Sequence, residues 1–120
     1  MPKRVLSIGN CNYDFSTLTT ALEKNYQVEL QSVDTAEEAT KAVKDGQYDL
    51  IVVNRLFDVN GESGIELIKK LKPTVKAPMM LISNYPEYQQ QAIAAGAVPG
   101  FGKKAVGKPA LLEVVGEYLK

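Results

Sequence analysis

Along the 120 residues, short apolar runs alternate with stretches in which apolar residues recur every three or four positions. The first pattern marks strands covered on both faces and the second marks amphipathic helices, so their alternation predicts a parallel sheet sandwiched by helices. RVLSI, starting at Arg4, predicts the first strand. DFSTLTTALEKN then predicts a helix with Phe15, Leu18 and Leu22 on one face and Asp14 as its N-cap. YQVELQSV alternates Tyr26, Val28 and Leu30 as a second strand, and the capping box from Thr35 to Glu38 opens a helix that runs to Lys44. YDLIVV is the third strand, apolar at successive positions. A second capping box, Ser63 to Glu66, opens a helix that buries Ile65, Ile68 and Leu71 and stops at Pro73. PMMLIS predicts the fourth strand, Pro86 and Glu87 the first turn of a fourth helix that ends at Gly96, and VPGFG a short fifth strand. PALLEVVGEYLK closes the chain as a helix with Leu111, Leu112, Val115 and Leu119 at helical spacing. The expected architecture is α/β, a (βα)5 doubly wound parallel five-stranded sheet in a three-layer sandwich, with one domain over residues 1–120.

Composition narrows the function classes. With 45% hydrophobic and 23% charged residues the chain reads as a globular protein that closes its own core. Fourteen basic residues cancel fourteen acidic ones, so there is no basic excess or stripe for nucleic acid. The absence of histidine removes histidine-dependent catalysis and most zinc sites. Cys11 is the lone cysteine, which fits a reducing compartment, and no apolar run is long enough for a signal peptide or a membrane span. A cytoplasmic protein is expected, with no membrane association.

In an open parallel sheet, ligands gather outside the carboxyl ends of the strands, where strand order reverses. The residues delivered there are Gly9, Asn10 and Cys11, then Asn54 and Arg55, then Ser83 and Asn84, and finally Phe101 to Lys104. Asn54 stands where a buried strand meets a polar loop, and a neutral amide there is a residue type that satisfies strand-end backbone groups.

Over its whole length the chain resembles the receiver domain of bacterial response regulators, which has a flavodoxin-like fold. The resemblance rests on YDLIVVN, GESGIELIKKLK, APMMLIS and AGAVPGFGKK leading into the last helix. It implies phosphoryl transfer to an aspartate ending the third strand, a magnesium ion held by that aspartate and an acidic pair after the first strand, and a Ser or Thr and a Lys that bind the phosphoryl oxygens. At these positions the chain carries Asn54 in the acceptor's place and Gly9 and Asn10 in the acidic pair's. Ser83 fits the hydroxyl position and Phe101 the aromatic one. Counting from Leu111 makes Lys104 the lysine, whereas counting from Gly96 makes it Lys103. An amide forms no acyl phosphate, and three missing carboxylates leave magnesium no anionic ligand. The expectation is therefore a degenerate receiver, or pseudo-receiver: a phosphorylation-independent protein-interaction module in signalling, not an enzyme, with no metal and no cofactor.

The alternatives are a conventional stand-alone response regulator with an unusual acceptor such as Asp58, and a small flavodoxin-like redox carrier. The latter needs a Ser-, Thr- and Gly-rich phosphate loop where this chain has GNCNYDFST. Cys11 is expected to be small, inert and half-buried, and Arg55 to point outward. From Tyr88 to Gly102 there is no charged residue, which suits a partner surface because interface cores are depleted in charge. The resemblance makes helix four to helix five the output face, and Tyr88, Gln91 and Tyr118 are its candidate contacts for a protein signalling partner; a homodimer is also compatible.

Overall fold

A computed structural model describes residues 2–120 and arranges them as five strands and five helices in strict alternation. The elements are β1 (Lys3–Ile8), α1 (Asn12–Glu23), β2 (Val28–Val33), α2 (Ala36–Asp45), β3 (Leu50–Asn54), α3 (Gly64–Leu71), β4 (Met79–Ile82), α4 (Pro86–Ala94), β5 (Val98–Phe101) and α5 (Pro109–Leu119), with a single 3-10 turn at Lys103–Ala105. All strand pairs are parallel, in the order β2-β1-β3-β4-β5, so the order reverses between β1 and β3.

The period of two along each central strand divides the core into two layers. Leu6, Ile8, Ile51, Val53, Met79 and Leu81 face α2, α3 and α4. Val5, Leu50, Val52, Met80 and Ile82 face α1 and α5. Both faces of β3 are therefore covered, which is why it reads as an unbroken apolar run. The N-cap half of each capping box forms at the helix start: the Thr35 hydroxyl accepts from the Glu38 N–H at 3.1 Å, and the Ser63 hydroxyl from the Glu66 N–H at 3.2 Å. β2 starts two residues later than its alternation suggests, because Tyr26 packs half-buried against the α1 and α5 layer before pairing begins. No helix among the described residues is long and apolar enough to cross a membrane.

α1 starts earlier than expected. Its N-cap is Cys11, whose sulfur accepts from the Asp14 N–H at 3.4 Å, and Asp14 falls in the first turn instead of capping it. The turn after β1 is short, so the first residue able to reach a free helical N–H is Cys11. This shift of one helical turn changes what Asp14 does.

Candidate functional site

β3 delivers Asn54, only 7% exposed, to the reversal point of the sheet. Its side-chain N–H2 donates to the Leu56 carbonyl at 2.7 Å and to the Gly9 carbonyl at 3.1 Å. The Asp58 N–H donates to the same Gly9 carbonyl at 2.9 Å. Two carbonyls facing one atom require a donor there, so Asn54 is a bracket that ties the turn after β1 to the loop after β3. Gly9 adopts a left-handed backbone with φ +79°, and a Cβ there would run into the buried Phe57 ring. Asn10 turns back into the sheet, donating to the buried Ser7 hydroxyl at 2.8 Å.

Between the ends of β3 and β4 lies a cleft of about 260 Å³ lined by Asn54, Arg55, Leu56, Ser83, Tyr85 and Lys103, among others. An adjoining hollow of about the same volume is lined by Asn10, Tyr13, Asp14, Phe101 and Lys103. Lys103 is thus the lysine that shares these two hollows with Asn54 and Asn10. Lys104, its neighbour in a 3-10 turn, lines a different hollow with Ser83, Asn84, Gln90 and Phe101, at the ends of β4 and β5. The Lys103 ammonium lies 2.8 Å from the Asp14 carboxylate. That hydrogen bond is the main reason the Asp14 carboxyl is held below the usual carboxylate range; partial burial opposes it, and contact with Cys11 and the charge of Lys103 add to it. Asp14 belongs to the site although the motif positions did not include it. Its only sequence signal is an acid in the first turn of the helix that starts at the strand ends.

The buried Ser83 hydroxyl accepts from the Tyr85 N–H at 3.2 Å, and Phe101 is buried in the α1 and α5 layer. Arg55 does not point outward as expected; its guanidinium lies over the Tyr88 ring, 4.3 Å from the centroid. The flat, weakly hydrated guanidinium gains from the aromatic face what it gives up in water. Asp58 is exposed and does not line the cleft.

Gln89 is a structural residue the motifs did not indicate. Pro99 has no N–H to give, and the pairing of β4 with β5 shifts register between Val98 and Phe101. The Gln89 side chain fills this gap, donating to the carbonyls of Leu81 at 2.9 Å, Ser83 at 3.2 Å and Phe101 at 3.4 Å, and accepting from the Gly100 N–H at 3.1 Å. α4 is thereby tied to β4 and to the edge strand β5.

The three residues expected on one output face do not form one patch. Tyr88, in the first turn of α4, is half-buried against the α2, α3 and α4 layer under Arg55. Tyr118, in the last turn of α5, packs on the opposite layer, and burial raises its phenol above the ordinary value, with Glu117 adding to the shift. Both helices start at the carboxyl ends of strands, so the two tyrosines lie at opposite ends of the molecule. Gln91 is exposed on α4.

No protein-family model and no curated protein matches the sequence. The structure, in contrast, closely matches solved receiver domains. NtrX from Brucella abortus matches with a TM-score of 0.84 at 20% identity over 99% of this chain, which spans 27% of the NtrX chain. The chemotaxis response regulator CheY4 of Vibrio cholerae matches at 0.77 and 18% identity, over 99% of this chain and 100% of its own. A co-crystal structure of the Saccharomyces cerevisiae histidine phosphotransfer signaling protein Ypd1 with the receiver domain of its downstream response regulator Ssk1 matches at 0.76 and 21% identity, over 98% and 89%. This chain has the receiver fold. The flavodoxin-like (βα)5 arrangement expected from the sequence is the one observed.

Within the receiver fold, the magnesium ion implied by the resemblance would sit among Gly9, Asn10 and Asn54. These offer no carboxylate, Asn54 turns its nitrogen to main-chain carbonyls, and Asp14, the acid that lines the adjoining hollow, is engaged by Lys103. No group of three or more Asp, Glu, Cys or His among the described residues is placed to share an ion. The residues present do not fit magnesium, which demands hard anionic oxygens in octahedral array.

Proposed function

We propose that this receiver-fold chain acts in signal transduction as a pseudo-receiver: a phosphorylation-independent module of the cytoplasm that works by binding a protein and catalyses no phosphoryl transfer. The observation that carries this reading is the Asn54 bracket. The acceptor's position holds a group whose N–H bonds are spent on Gly9 and Leu56, and an amide is no oxygen nucleophile. A protein partner is supported by the similar Ssk1 receiver domain, which was crystallised with the phosphotransfer protein Ypd1.

The output face in this reading runs from α4 toward α5. Its accessible part is Gln91 and Ile93 rather than the ring of Tyr88. Gln89 holds α4 against β4 and β5, so a partner meets one constant surface and not one of two alternating states. The test adds magnesium with acetyl phosphate or beryllofluoride and follows the amide NMR spectrum. Signals of Asn54, Ser83 and Lys103 are expected to stay in place. Saturable shifts there that require magnesium would overturn the proposal, and acid-labile phosphate on Asp58 would replace it with a regulator using an unusual acceptor.

A further inference from the structure

We propose that the mouth of the strand-end cleft is a docking surface for a protein segment that inserts a carboxylate side chain between apolar neighbours. This rests on the reading of the chain as a protein-binding module and names the chemistry of what it binds. Five large apolar side chains are exposed among the described residues: Tyr13, Leu56, Val59, Tyr85 and Ile93. Four of them lie on the segments that leave the carboxyl ends of the strands. Leu56 and Tyr85 line the cleft between β3 and β4, Tyr13 lines the adjoining hollow, and Val59 stands in the loop that carries Leu56. Apolar residues scattered singly are ordinary on a surface, but two that line one cleft, with a third on the adjoining hollow, mark an interaction site.

Local structure holds these side chains out. After β3 the chain forms a small hairpin, with Leu56 bridged to Ser63 and the Phe57 N–H bonded to the Glu62 carbonyl at 2.9 Å. Phe57 turns inward beneath Gly9, so its neighbour Leu56 turns outward. Tyr85 occupies the N-cap of α4, a position that favours Ser, Thr, Asp or Asn, yet its side chain makes no cap bond and is 56% exposed. It packs edge-on against Tyr88, whose ring carries Arg55. An aromatic residue here gives up capping and leaves more than half of its surface on the rim of the cleft, free for contact.

Charge decides what enters. Arg55 and Lys103 are the charged side chains lining this cleft. Lys103 is answered by Asp14, whereas Arg55 takes part in none of the ion pairs found among the described residues. The rim acids do not compensate it: Asp58 and Glu62 do not line the cleft, and Glu62 is taken up by the Asn60 side chain and the Ala36 N–H. A guanidinium between aromatic and apolar walls is complementary to a carboxylate. At about 260 Å³ the cleft falls below the roughly 300–1,000 Å³ of small-molecule sites, and its apolar residues stand on the rim. That geometry suits one side chain of a larger partner.

The test presents the full chain to a displayed library of short random peptides and measures binding of a synthetic copy of the most enriched one. Enriched peptides are expected to carry Asp or Glu flanked by aliphatic or aromatic residues. Affinity should fall by about tenfold or more on Tyr85→Ser or Leu56→Ser in the protein, and on acid-to-amide exchange in the peptide. Tyr85→Ser provides a better N-cap, so binding should be lost with the melting temperature unchanged or raised, which separates docking from misfolding. Peptides without an acid, binding indifferent to these substitutions, or no enrichment at all would overturn the proposal. So would free acetate or glutarate that shifts Asn54, Ser83 and Lys103 signals at the peptide's own concentration range, since the cleft would then be a small-carboxylate site. Magnesium-dependent beryllofluoride shifts bear on the pseudo-receiver reading alone, so the two fail separately.

Discussion

The Asn54 side-chain amide reaches the Gly9 carbonyl across 3.1 Å, from the end of β3 to the turn that follows β1. The same carbonyl receives the Asp58 N–H, so one main-chain oxygen gathers the strand end and the loop beyond it. A carbonyl only accepts, and the residue at this position must therefore donate. The neutral amide at the head of the sheet matches the acceptors that surround it.

Asn54→Asp should accordingly destabilise the fold and gain no phosphate. A carboxylate would face two carbonyls, at a cost of about 1–3 kcal/mol for the unmade buried bonds. A protonated acid still donates once, so the native state of the variant holds its proton more tightly than the unfolded chain. The unfolded state then binds fewer protons, and stability falls as pH rises. Urea unfolding at several pH values should show the deficit growing from acid to neutral, and acetyl phosphate with magnesium should leave the variant unlabelled.

Rebuilding the acidic pair should fail at its first member. Gly9→Asp places a Cβ against the Phe57 ring and requires a side chain at φ +79°. Gly9→Ala carries both penalties without charge and should cost about 1–3 kcal/mol. Adding Phe57→Ala relieves the clash but opens a core cavity, so the double variant should be no more stable than Gly9→Ala. The triple exchange to acids at Gly9, Asn10 and Asn54 should not give a folded, magnesium-binding protein by circular dichroism and calorimetry.

The Asp14–Lys103 pair predicts an acid-side dependence. The Asp14 carboxyl sits below its ordinary value of 3.8, chiefly through its hydrogen bond to Lys103. A depressed carboxyl contributes stability that is present above the unfolded value and lost as pH falls through the folded one. The side chains are 28% and 48% exposed, so solvent screening limits the contribution to about 0.5 kcal/mol. Asp14→Asn should lower stability by that amount at neutral pH and converge with the parent protein near pH 2, which paired denaturation curves will show.

Gln89→Ala should loosen the edge of the sheet. It removes the donor to the Leu81 carbonyl and the acceptor of the Gly100 N–H, at a cost of about 1–3 kcal/mol. Gln89→Glu should cost more, because a carboxylate would face the carbonyls of Leu81, Ser83 and Phe101. Hydrogen exchange should quicken at Gly100 and through α4 in both variants and stay unchanged in β1.

Tyr88→Ala and Gln91→Glu should separate packing from docking on α4. Tyr88 is half-buried and supports Arg55, so its loss should lower stability by about 1–2 kcal/mol. Gln91 is exposed, and its charged variant should melt with the parent protein. Binding lost through Gln91→Glu at constant stability would place the partner on the α4 face.

The alternation of apolar runs determined the five strands, because residues that must be covered on both faces have few other ways to be arranged. Thr35, Glu38, Ser63 and Glu66 set two helix starts through hydrogen bonds within one turn, which neighbouring residues alone can satisfy. The strand-end positions of Gly9, Asn10, Asn54 and Ser83 were legible for the same reason: each follows a run that had to be a strand. What each of them touches was not. That Lys103 and not Lys104 faces the cleft depends on the phase of a 3-10 turn, which leaves no periodic trace in composition. The Asn54 bond to Gly9, Phe57 under Gly9, Arg55 on Tyr88 and Gln89 at the Pro99 bulge join segments distant along the chain or side chains in aperiodic loops. Such contacts form only after the sheet has set the distances between its strand ends, and so the tertiary structure alone decided them.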